Sequence, residues 1–142
     1  MGSSNVEIVR QVFAAFERRD VEAVVALSAP EIVFEPVTSR LAAGGDPYRG
    51  HEGMRHYFED VSRVWQELRP SPEAFHEGED GLVVATGRVY AWGVGRVIDS
   101  PAGWLWRLRD GKLVYGRIFE TPAGALQAAR EDGWSAEASA ER

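Results

Sequence analysis

The chain has no cysteine, which excludes disulfides, thiolate metal sites, iron–sulfur clusters and cysteine nucleophiles together. Histidine is scarce too. His51, His56 and His76 are the three present, and none stands at the His-x-His or His-x-x-x-His spacing of a zinc site, so no metal is expected. There is no Gly-x-Ser-x-Gly elbow and no glycine-rich phosphate loop. Positive charge is the minority sign: 16 Lys and Arg oppose 22 Asp and Glu, for a net charge of −6, and no basic run breaks the pattern. Nucleic acid and membrane surface are therefore not expected as partners. No apolar stretch approaches the roughly 18 residues of a membrane span. Met1–Asn5 lacks the basic n-region of a secretory signal, and the expected location is cytoplasmic.

What is there fits one domain over residues 1–142, with 44% apolar and 27% charged residues, the balance of an ordinary globular protein. Val6, Val9, Val12, Phe13 and Phe16 recur at helical spacing behind the N-cap candidate Asn5. Asp20 is placed to cap a second helix with the apolar face Val21, Val24, Val25 and Leu27, closed by Pro30. A short strand is predicted at Ile32–Pro36 and a loop at Thr38–Tyr48. Met54, Tyr57, Phe58, Val61, Val64, Trp65 and Leu68 mark one face of a long helix, ended by Arg69-Pro70-Ser71-Pro72.

From there the period changes to two, predicting strands at Pro72–Glu79, Leu82–Gly93, Val94–Leu108 and Lys112–Thr121. Turns fall at Glu79-Asp80-Gly81 and Arg109-Asp110-Gly111. Gly87, Gly93 and Gly95 inside the strands point to bulges and curvature. Ala123–Arg130 reads as a last short helix, and 132–142 as a flexible tail. Helices on one side of an antiparallel sheet make an α+β domain. A strongly curved sheet closed by helices encloses a cone, and a cone lined with aromatics is a ligand pocket.

Three segments resemble SnoaL-like proteins of the NTF2-like superfamily. They are Asn5–Arg10 with Phe13-Ala14-Ala15-Phe16 and Arg19-Asp20-Val21-Glu22-Ala23, then Tyr48-Arg49-Gly50-His51-Glu52-Gly53, then Trp106–Val114 with Arg117 beyond. The superfamily includes ketosteroid isomerase, SnoaL-type polyketide cyclases and limonene-epoxide hydrolase. The resemblance implies an NTF2-like cone, a curved antiparallel sheet wrapped around three N-terminal helices, paired as a homodimer through its sheets. It brings no complete catalytic set. Val12 and Trp104 stand where the isomerase has its oxyanion-hole tyrosine and aspartate, and Glu35 before Pro36 is the nearest counterpart of its base.

The function expected is binding of a small hydrophobic molecule in the cone, and cofactor-independent acid–base catalysis of the isomerase, cyclase or epoxide-hydrolase type. The alternative is a non-catalytic ligand-binding or dimerisation module. Glu35 is the candidate base if it faces the cavity, where desolvation raises a carboxyl pKa toward neutrality. Alternation admits either Glu35 or Phe34 inside, not both. Glu120 points into the mouth of the cone if Gly116 and Ile118 face inward, and sits at the rim in the opposite phase. Arg117 either stabilises an anion in the pocket or lies on the outer face paired across strands. Phe16, Phe34, Tyr57, Phe58, Trp104, Trp106 and Ile118 are the expected lining. A cone filled by Trp104, Trp106 and Phe34 would remove the specificity for flat apolar ligands.

Overall fold

A computed structural model describes residues 3–35, 46–93 and 95–131. The elements in chain order are α1 (Ser3–Glu17), α2 (Val21–Ala26), β1 (Ser28–Glu35), β2 (Tyr48–Arg49), α3 (Gly50–Val64), β3 (Glu67–Glu77), β4 (Leu82–Gly93), β5 (Arg96–Arg109), β6 (Lys112–Phe119) and α4 (Pro122–Glu131). Most of the loop expected at Thr38–Tyr48, and the whole 132–142 tail, lie outside the described residues.

The six strands form one sheet in the order β2-β1-β6-β5-β4-β3. β3 to β6 are an antiparallel meander, and β1 joins β6 in parallel, Phe34 opposite Gly116 and Glu35 opposite Arg117. Both Asp-Gly turns have positive φ at each residue, Asp80 and Gly81 in one, Asp110 and Gly111 in the other. That is the twist a two-residue hairpin needs to match its strands. Gly87 lies opposite a break in register between Pro72 and Ala74. A Cβ there would sit 2.2 Å from the Ser71 carbonyl oxygen, so glycine is what lets β3 fold closely over β4.

Two apolar layers cover the sheet. On the concave side Val9, Val12 and Phe13 of α1 and Met54, Tyr57, Phe58 and Val61 of α3 pack on Ile32, Phe34, Val83, Ala85, Trp104 and Trp106. Each fully buried aromatic there is worth about 1.5–3 kcal/mol by area removed from water. On the convex side Ala125 and Ala129 of α4 pack on Leu82, Val84 and Leu105.

Several boundaries differ from the sequence reading. α3 ends at Val64, not at the prolines: Trp65 turns extended, buries its ring and donates its N–H to Val61, while the Gln66 N–H pairs with Trp92. Pro70 and Pro72 instead lie within β3, tolerated because β3 is an edge strand and needs ladder hydrogen bonds on one side only. β1 begins at Ser28, so Pro30 belongs to a strand rather than closing α2. α4 takes the face opposite the other helices, so the helices are not all on one side.

Candidate functional site

Between α3 and the wide end of the sheet lies a cavity of about 280 Å³. Tyr57 and Trp65 close it on the α3 side; Leu68, Val89, Ala91, Ile98, Ala102 and Ile118 floor it from β3 to β6. A smaller recess of about 40 Å³ continues from it, sharing Tyr57, Leu68, Val89 and Ile118 and adding Phe16, Arg19, Phe58, Val61, Pro70 and Trp104. The lining is overwhelmingly apolar, as in small-molecule sites, and the volume is at the small end of that range.

The narrow end of the cone is filled. Phe34 and Trp106 stack at 5.7 Å and Phe16 lies over both, at 5.9 and 6.1 Å between ring centroids. Phe34 and Trp106 are fully buried and line neither space, which corrects their expected place in the lining. Phe16, Tyr57, Phe58, Trp104 and Ile118 do line it. The open volume is therefore displaced toward the mouth, over side chains that shrink along β5 from Trp104 to Ala102 and Ser100.

The three charged candidates separate. Glu35 is on the face opposite Phe34, where its Oε2 accepts a 2.7 Å hydrogen bond from the Tyr115 hydroxyl. Burial and this bond push Tyr115 up to about 12. Arg117 projects from the same outer face, its guanidinium 4.5 Å over the Phe119 ring. A base role for Glu35 inside the cone, and an anion-stabilising role for Arg117 there, are thus corrected by the strand phase: burying Phe34 is favourable, burying a carboxylate is not. Glu120 follows Ile118 and lines the cavity at its exposed rim.

Two groups escaped the sequence reading. Helical spacing marks Tyr57 only as lining, yet its hydroxyl makes no hydrogen bond among the described residues. Burial holds its pKa above the ordinary value, and the positive charge of Arg19 acts the other way. It is a protonated donor in an apolar cavity. The sequence marks Arg19 only as the start of the Arg19–Ala23 segment. It sits at φ +58°, with its N–H bonded to Phe16 and that of Asp20 bonded to Ala15. This is a Schellman closure of α1 with arginine where glycine is usual, at a cost of about 1–2 kcal/mol. Its one legible signal was a cation at the end of an apolar helix face.

The SnoaL-like domain family matches residues 9–116, most of the chain. This protein belongs to the SnoaL-like family. Its fold is that of an NTF2-like protein of unknown function from Burkholderia pseudomallei, with TM-score 0.75 and 25% identity over 88% of this chain and 96% of that one. TerC, crystallised with polyporic acid, is similar at TM-score 0.74 and 23% identity, over 86% and 95% of the two chains. A provisionally assigned SnoaL-like polyketide cyclase from Jannaschia sp. CCS1 follows at TM-score 0.68 and 18% identity, over 83% and 85%. No curated protein matches the sequence significantly. As a SnoaL-like domain of the NTF2-like α+β type, the chain has the cone that its sequence resemblance implied, and none of its described helices is long and apolar enough to cross a membrane.

Proposed function

We propose that the protein binds a small, flat, hydrophobic molecule in the cavity between α3 and the sheet, with an oxygen of that molecule accepting a hydrogen bond from Tyr57. The observation carrying this is an apolar cavity of about 280 Å³ with an unpartnered, protonated hydroxyl in its wall. Trp106 Nε1 is the buried polar atom without a partner among the described residues; the Tyr57 hydroxyl instead opens on the cavity, where a ligand oxygen can accept its hydrogen bond. The polyporic acid of TerC and the cyclase assignment of the Jannaschia protein support a ligand of this chemical kind.

Acid–base turnover without a cofactor is the second reading. In it Tyr57 holds a carbonyl oxygen as negative charge develops, and Glu120 takes the proton. The binding reading stands ahead of it, because Glu120 is the one carboxylate lining the cavity among the described residues and is exposed at the rim.

Trp65 and Trp104 line the space, so tryptophan fluorescence reports occupancy. Titration with a panel of flat carbonyl compounds is expected to give saturable quenching by one chemical class. Tyr57→Phe is expected to weaken that binding about 3–10-fold with Tm unchanged, the worth of one neutral hydrogen bond. No quenching by any compound, or equal affinity in Tyr57→Phe, would overturn the reading.

A further inference from the structure

We infer that the cavity selects an acid: a flat apolar molecule carrying a carboxylate or an ionised enol, whose anionic oxygen meets Arg19 at the recess while Tyr57 donates to the same group. The inference rests on the binding reading above and names the ligand class.

Arg19 occupies the left-handed position that closes α1, where glycine fits without strain and arginine does not. The fold makes no visible use of its charge. Among the described residues its guanidinium makes no ion pair or hydrogen bond, and the neighbouring Asp20 carboxylate is taken by Arg18 and by the N-terminus of α2. A residue kept in a strained conformation without a structural partner points to a use elsewhere.

That use is indicated by where it lies. Arg19 lines the small recess with Tyr57, Phe58 and Trp104, and no acidic side chain lines the recess with it. Arg19 is half-buried, and an anion entering with the ligand meets its charge with no acidic side chain of the recess competing. The second polar group present is a donor as well, so both converging groups favour an anionic acceptor over a cation or an amide N–H. A monoanion matches one guanidinium and one hydroxyl. The apolar remainder of the cavity takes the hydrocarbon part.

Glycine is the residue this turn favours, so Arg19→Gly removes the charge without threatening the fold. Calorimetric titration of wild type and Arg19→Gly with matched pairs, naphthoate with naphthamide and cinnamate with cinnamamide, separates charge from shape. The expected result is tighter binding of the acid in each pair, lost about 10–100-fold in Arg19→Gly, with the amide changed less than about 2-fold. The variant's Tm is expected to stay level or rise by a few degrees. Equal binding of acid and amide, or an acid preference that survives in Arg19→Gly, would overturn the inference and leave the cavity reading intact. Failure of every compound to bind wild type would overturn both.

Discussion

A methyl group added at Gly116 would lie 2.4 Å from the Trp106 ring and 3.1 Å from the ring of Phe34. Both rings are stacked and fully buried, so neither can turn aside. Gly116→Ala is therefore expected to lower stability by about 1–3 kcal/mol, the range for overpacking a filled core, measured as a fall in the denaturation midpoint. An unchanged midpoint would mean that the narrow end of the cone is not packed as described. The same strand face shows what was legible residue by residue. The pattern narrowed β1 to Phe34 or Glu35 inside and left the phase open. The cost of burying a carboxylate decides it, and Glu35 goes to Tyr115 on the outer face. Tyr57 was legible as a wall residue through its helical spacing. Its unpartnered hydroxyl was not, because whether a hydroxyl finds a partner depends on the opposite wall.

At the scale of elements, local chemistry predicted the turns and the Asp20 cap better than the helix ends: Asn5, expected as an N-cap, lies inside α1. Asp20 caps α2 as its position suggested, its Oδ1 accepting from the Ala23 N–H at 3.2 Å. Asp20→Ala is expected to cost about 1 kcal/mol, seen as a lower Tm with the recess-lining Arg19 untouched; no change in Tm would deny the cap any part in stability. The two Asp-Gly hairpins were readable because their positive φ angles are a local requirement. The end of α3 was not readable, since it is set by Trp65 finding a buried place and Gln66 finding β4. The prolines of β3 were misleading for a related reason. Whether a proline breaks an element depends on whether its missing N–H faces a neighbouring strand, and the edge position of β3 comes from the whole sheet.

At the scale of the molecule, helices followed by a meander made the α+β cone readable, but α4 showed too weak an apolar pattern, Ala125 and Ala129, to reveal that it covers the convex face. Three tyrosines hold elements together: Tyr48 of β2 donates to Asp60 of α3 at 2.6 Å, Tyr115 of β6 donates to Glu35 of the neighbouring β1, and Tyr57 is buried between α3 and the sheet. All three are raised, Tyr48 and Tyr57 chiefly by burial and Tyr115 to about 12. An unfolded tyrosine ionises near about pH 10, whereas these stay protonated in the fold. The stabilisation they carry is thus complete below about pH 10 and lost as pH rises through the folded values, at about 1.4 kcal/mol per pH unit for Tyr57 and less for the half-buried Tyr115. Denaturant midpoints falling above about pH 10, with phenolate absorbance delayed, are the expected result; midpoints constant to about pH 11 would contradict it. We propose that the cone, open at its mouth, receives a ligand there. Ala102 is buried and lines the cavity floor, so Ala102→Phe should place its ring in the open volume. The decisive measurement is ligand titration of wild type and Ala102→Phe side by side, with their melting curves. Ala102→Phe is expected to keep its Tm and lose binding. Undiminished binding, or a variant that no longer folds for want of room, would contradict it.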